Sequence, residues 1–306
     1  FVGSRRLSQA VIDTLAQWKK LPQAAREKKE ILFLRGHLAY AAGDLETALQ
    51  LWDEAREKGL DPENVKPWIE KATREHRVEK GYARLGSAHF DISYEGDRDE
   101  KIVGRVATAL ERAYEKVGGD LDCFPDTVVQ VLLYPSQVFQ EVTATQAWAG
   151  GIYDGKIRVP VKGLQTVDEQ VLDRVLVHEY THALVNALAP EAPLWLHEGL
   201  AQHEEGAEIP DADRVLLREA LAQGKLPGPS TFPASLSTDP DVKRVKLCYA
   251  AARSFVDFLL EKMEPGHLGK FLRKINGTVT VGSPLRRVTD KKLEEWEKEW
   301  RETLSS

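Results

Sequence analysis

Cysteine is nearly absent from this chain, with Cys123 and Cys248 the only two in 306 residues. Two thiols so far apart make no disulfide framework, and they are too few for a cysteine zinc site. They read as small buried apolar residues, with a lone disulfide as the alternative. No apolar run of about 18 residues occurs, so no transmembrane helix is expected. An excess of positive charge is also lacking: 42 Lys and Arg stand against 48 Asp and Glu, a formal charge of −6. A general nucleic-acid or anionic-membrane binder needs a basic surface, so neither class is expected. The chain opens on Phe1-Val2-Gly3-Ser4 without methionine. The expectation is a trimmed export signal and an extracytoplasmic location, in the periplasm or cell envelope.

What is present is an apolar share of 42%, enough to bury a full core and to suggest two units. The expected division is a helical region over 1–80 and a second domain over 81–306.

The chemistry concentrates between Gln170 and Glu205, and first in His178-Glu179-Tyr180-Thr181-His182. Two histidines four apart on a helix project from one face, so their ring nitrogens can converge on a single ion with Glu179 beside it. Val171, Leu172, Val175, Leu176, Val177, Ala183, Leu184, Val185, Ala187 and Leu188 surround the motif with apolar groups. Such a helix belongs in a core. A carboxylate and two imidazoles are costly to bury without partners, and a divalent metal satisfies all three. The bland alternative is a core histidine pair bonded to backbone or to a carboxylate.

A catalytic zinc takes three protein ligands and leaves one position open, and two histidines with one glutamate form such a set. The stretch Trp195-Leu196-His197-Glu198-Gly199-Leu200-Ala201-Gln202 supplies Glu198 as the third ligand. Pro190 and Pro193 bracket the break after the first helix, and a second helix from about Leu194 to Glu205 folds back against it. His197 and His203 are poorly aimed for the same ion, because neighbours in a helix point in different directions. His37, His76, His89 and His267 have no ligand spacing and read as surface or packing residues.

HEYTH followed by WLHEGLA resembles the gluzincin metallopeptidases, most closely the bacterial peptidase MA-like families. The resemblance implies an α+β fold with a thermolysin-like zincin catalytic domain, a small mixed sheet lobe plus a helical lobe, with the metal between them. It implies one Zn2+ per chain on His178, His182 and Glu198, and Glu179 as general base for hydrolysis of a peptide bond by a metal-bound water. Fifteen residues separate His182 from Glu198, fewer than in thermolysin or aminopeptidase N, which favours the smaller MA-like relatives. Thermolysin-like enzymes carry an aspartate four residues after the glutamate ligand to support a histidine. Gln202 stands there instead, so Glu204, Glu205 or a backbone carbonyl must supply that support.

By the same resemblance, a tyrosine or histidine on a later helix bonds the tetrahedral intermediate. Tyr249 is the candidate, with a core tyrosine as the alternative reading and Arg253 as a second candidate. The strand before the metal helix is, in gluzincins, a sheet edge along which substrate backbone lies. That maps onto Ala149, Gly150, Gly151, Ile152 and Tyr153, whose alternative reading is an ordinary edge hairpin turning at Asp154-Gly155. No acid lies in Trp148–Tyr153 to hold a free amine, so an endopeptidase is expected rather than an aminopeptidase.

Elsewhere, Gly36, Ala39, Gly43, Leu45, Ala48, Trp52 and Ala55 fall where a tetratricopeptide (TPR) repeat places its packing residues, so Lys29 to Pro62 resembles one TPR hairpin. Val11, Leu15 and Trp18 before it, and Val65, Trp68 and Ile69 after it, are expected to cover its faces. The segment reads either as scaffolding or as a site for a protein partner. Strands are expected over 87–94 and 127–134, with a helix over 99–117 between them. After the metal helices come helices over 211–223, 242–262, 266–275 and 290–303. Two rival functions stand beside the zinc peptidase. One is a TPR-type scaffold with a degenerate peptidase domain, and the other is a zinc hydrolase of a non-peptide amide.

Overall fold

The computed structural model describes residues 20, 22–135, 138–139, 152–161, 164, 166–236, 239–275 and 280–305, with the backbone alone given for 97–100 and 152. Val11, Leu15, Trp18, Ala149, Gly150 and Gly151 therefore lie outside the described residues. The described chain is a mixed α+β protein in two compact units, one drawn from 3–107 and 127–166, the other from 108–126 and 167–306. No described helix is long and apolar enough to cross a membrane.

The first unit begins with a short helix α1 (Gln23–Arg26) and three longer helices, α2 (Lys29–Ala41), α3 (Leu45–Glu57) and α4 (Pro62–Glu79). The turn between α2 and α3 is written in Gly43-Asp44. Gly43 takes φ 79°, a conformation natural to glycine, and Asp44 caps α3 by accepting a hydrogen bond from Thr47 N at 3.0 Å. Gly36 lies against the Trp52 indole, where a Cβ would collide with the ring. Trp52 then packs with Tyr40, Leu45, Ala48 and Val65, and Trp68 and Ile69 border that cluster.

The sheet of this unit has five strands in the order β1-β2-β3-β5-β4. These are β1 (Ala83–Gly86), β2 (Phe90–Tyr94), β3 (Val129–Tyr134), β4 (Ile152–Tyr153) and β5 (Ile157–Pro160). The central β2-β3 and β3-β5 pairings are parallel, and the outer two pairings are antiparallel. The helix expected over 99–117 is longer, α5 (Gly96–Leu121). β1 extends the sheet beyond the expected strands; being short and mostly exposed, it offers no alternating pattern to read. Asp154-Gly155 turns the β4-β5 hairpin, with Gly155 at φ 106°.

Charge is buried between the helices and the sheet of this unit. Glu75 from α4 accepts from Arg158 of β5 at 2.9 Å, from Tyr40 of α2 at 2.6 Å and from Lys156 at 3.4 Å. Asp154 pairs with Arg158 and Lys71, while Tyr134 donates to Glu79 and accepts from Arg158. Glu75, Lys156 and Arg158 are all at most 1% exposed, so each charge needs these partners to stay inside.

The second unit is helical: the latter part of α5, then α6 (Glu169–Leu188), α7 (Leu194–Glu204), α8 (Asp211–Ala222), α9 (Val242–Lys262), α10 (His267–Ile275), α11 (Gly282–Thr289) and α12 (Leu293–Ser305). Trp296 and Trp300 of α12 pack edge-on to Phe258 and Phe255 of α9. α11 was not expected from the sequence. Its buried side is only Pro284 and Leu285, too brief for a helical period to register.

Candidate metal centre

Asp168 starts α6 by accepting from Val171 N at 2.8 Å. Leu172, Leu176, Tyr180, Ala183, Leu184 and Leu188 bury the helix on several sides, as its apolar sequence requires. Ala189 to Pro193 make a tight turn, with Ala192 N bonded to Ala189 O at 2.9 Å and Pro193 at the N-cap of α7. α7 therefore returns along α6. Its opposite side lies on α9 at Gly199, where a Cβ would sit 2.5 Å from the Ala252 carbonyl oxygen and press on Val256. A glycine is required for that approach, and it leaves Glu198 directed at α6.

The geometry brings His178, His182 and Glu198 together. Nε2 of His178 lies 3.1 Å from Nε2 of His182, 3.9 Å from Glu198 Oε2, and His182 Nε2 lies 3.8 Å from Glu198 Oε1. One ligand atom from each falls within 4.8 Å of the others, and among the described residues no other group of three His, Cys, Asp or Glu side chains does this. Four ligands placed tetrahedrally about 2.0–2.1 Å from zinc stand about 3.3–3.4 Å apart. The observed spacing brackets that figure, so the donor set fits the ion in number, type and separation.

The electrostatics agree with the geometry. Burial pushes Glu179 up to about 7; His178 opposes the rise, and the charges of Glu198 and Glu205 add to it. Burial likewise lifts Glu198 to about 7, again against His178 and with Glu205. For His178, burial disfavours the charged ring, yet the Glu205 hydrogen bond and the charges of Glu179, Glu198 and Glu205 outweigh it and hold the imidazole at about 9. Burial and mutual repulsion thus favour the protonated forms of both carboxyls, a bias that a cation held among them would reverse. Glu179 Oε2 is buried without a hydrogen-bond partner among the described residues, an acceptor that a water or a cation would satisfy.

The other expected residues divide. Tyr249 lies on α9, half-buried beside Leu236, Val245 and Cys248. Burial raises its hydroxyl well above the ordinary tyrosine value, and the charges of Glu198 and Glu179 act in the same sense. Arg253 is engaged elsewhere: its Nε donates to Asp257 at 2.6 Å and its guanidinium to Ala207 O at 3.2 Å. His203 bonds the same Asp257 at 2.6 Å. Asp257 stands four residues beyond Arg253 on one helix, a spacing at which opposite charges meet and one legible in the sequence. His197 sits with its ring 5.7 Å from that of His182 and is not part of the three-ligand group. His37 packs edge-on to Phe33, Trp52 and Trp68. Of the expected substrate strand, Ile152 and Tyr153 form the edge strand β4.

Two helix-end acids acquire distinct partners. Glu204 is buried and accepts from Lys116 of α5, whereas Glu205 Oε1 lies 2.5 Å from His178 Nδ1. Gln202 donates to the carbonyls of Glu198 and Tyr249, each at 3.1 Å, and so ties α7 to α9.

Residues 109–306 match the family model of the Peptidase MA superfamily, a span that is more than half of the chain and includes both HEYTH and WLHEGLA. The chain belongs to the Peptidase MA superfamily. It carries a metallopeptidase-like domain, and that membership supports a peptidase-like enzyme. No curated protein matches the chain as a relative. The superfamily match ends upstream at residue 109, so α1 to α4 stand outside it.

Proposed function

We propose that this Peptidase MA chain is a zinc-dependent peptidase of the gluzincin type, with His178, His182 and Glu198 as the metal ligands. The convergence of those three donors, with Glu179 next to His178 and its Oε2 without a hydrogen-bond partner among the described residues, carries the reading. A zinc ion bound there supplies a Lewis acid that acidifies a water and polarises a scissile carbonyl.

The chain's own residues do the remaining work. Glu179 takes a proton from the attacking water and delivers it to the leaving amine nitrogen, so one carboxylate serves both halves of the proton transfer. Its apolar surroundings suit a base whose affinity for protons must exceed that of an exposed carboxylate. Tyr249 donates its hydroxyl hydrogen to the oxygen that becomes negative as the carbonyl turns tetrahedral. An uncharged hydroxyl is needed for that, and burial beside two carboxylates favours it. The endopeptidase reading rests on Trp148 to Tyr153, a stretch that offers no carboxylate to hold a substrate's free amine.

Metal analysis of the purified chain, paired with casein and quenched-peptide hydrolysis by the parent and by Glu179→Gln, tests the reading. One zinc per chain in both proteins with hydrolysis only in the parent supports it. A parent chain that holds no zinc, or equal hydrolysis by both, overturns it.

A further inference from the structure

We infer that Gln202 is a positioning residue for Tyr249, holding α9 in register with α7 so that the phenol keeps a fixed place relative to Glu198; the inference rests on the peptidase reading above, with Tyr249 as the oxyanion donor. The side-chain amide nitrogen of Gln202 lies 3.1 Å from the Glu198 carbonyl oxygen and 3.1 Å from the Tyr249 carbonyl oxygen. Both partners can only accept, so the NH2 end of the amide faces them, and its two hydrogens match the two carbonyls. A helical carbonyl already bonded along its own helix keeps a second lone pair for such a contact. One nitrogen thus holds the main chain of Glu198 and the main chain of Tyr249, and the two carbonyl oxygens stand no farther apart than twice that distance.

The bridge supplies what packing at this place does not. Gly199 sets how closely α7 approaches α9, through its contact at Ala252. Gln202 stands three residues after Gly199 and Tyr249 three before Ala252, so the bridge falls nearly one turn along the same antiparallel contact. Leu236, Val245 and Cys248, against which Tyr249 packs, are apolar, and apolar burial is non-directional. It resists separation of the helices more than the sliding of one along the other. Hydrogen bonds have preferred distances and angles, and a pair of them stops that slide. The bridge also accounts for the residue type at 202. An acid, which the thermolysin-like enzymes carry there, only accepts once ionised and would turn its oxygens on two carbonyl oxygens. An amide donates to both.

The test is kinetic and uses the full chain at saturating zinc with a quenched peptide as substrate. Gln202→Glu keeps the size of the side chain and removes its donors. Its kcat is expected to fall by up to about 100-fold, with KM changed little. In a Tyr249→Phe chain the same substitution is expected to leave kcat at the Tyr249→Phe value, because the hydroxyl that Gln202 places is already gone. Loss of packing, or displacement of Glu198, would instead lower kcat by the same factor in both chains. Gln202→Met, uncharged and of similar length, is read in the same two backgrounds and is expected to show the same dependence on the hydroxyl, so the test survives a Gln202→Glu chain that fails to fold. Parental kcat in the Gln202 variants, or an equal fold loss with and without the hydroxyl, overturns the inference and leaves the metal reading intact. So does a Tyr249→Phe chain with parental kcat. A parent without zinc-dependent hydrolysis overturns both.

Discussion

Glu179 and Glu198 are both buried glutamates raised by their surroundings, yet their oxygens face different tasks. Both Glu198 oxygens look toward the two imidazoles, whereas Glu179 keeps one oxygen with no partner among the described residues. Glu179→Gln preserves shape and removes the capacity to take a proton. Peptide hydrolysis should fall by about 10²–10⁴-fold in kcat, while zinc content by elemental analysis stays at the parental level. Tyr249→Phe removes one hydroxyl and no ring packing. Its kcat should drop by about 10²–10³-fold with KM changed little, read from steady-state kinetics on a quenched peptide. An unchanged kcat would return Tyr249 to a core role.

The helices α6 and α7, which bring His178, His182 and Glu198 together, depend on an approach that only one residue type permits. Gly199 lets α7 lie on α9 at Ala252 and Val256, and that contact leaves Glu198 facing α6. Gly199→Ala inserts a methyl group into backbone, which cannot yield as a flexible side chain does. Destabilisation of about 1–3 kcal/mol is expected, measured by denaturant titration, together with weaker zinc binding as Glu198 is displaced. At this scale the sequence was readable where local rules govern. Asp168 and Asp44 cap the helices that follow them, and Asp154-Gly155 turns its hairpin. The HEYTH helix was readable because apolar residues surround it. Glu205 could be named only as one of three possibilities, since its contact with His178 spans 27 positions and depends on where α7 stops. Short elements such as β1 and α11 escaped because a few residues cannot display a period.

At the scale of the whole molecule, the first unit is tied together by buried charge that no pattern in the sequence announces. Lys156, just before β5, and Arg158 within it alternate with Ile157 and Val159 and would read as a solvent side, yet both are buried against Glu75 from a helix some 80 residues earlier. Burial works against the charged forms of Glu75 and Asp154, but Arg158 and the neighbouring lysines outweigh it and hold both carboxyls below their ordinary range. Carboxyls depressed on folding contribute stability above their unfolded values near 4, and that contribution is lost as pH falls through the folded values. Glu79, Glu179, Glu198 and Glu204, all raised chiefly by burial, act in the opposite sense. The denaturant midpoint should therefore fall as the pH drops below about 4, through the folded values of Glu75 and Asp154. Glu75→Gln should cost about 3–5 kcal/mol at neutral pH by leaving Arg158 underpartnered, and should flatten the acid limb. The most direct measurement of the central claim is an anomalous difference map, collected at the zinc edge from crystals of the zinc-loaded protein. One peak about 2.0–2.1 Å from His178 Nε2, His182 Nε2 and a Glu198 oxygen is predicted; a map without density among those atoms would contradict the account.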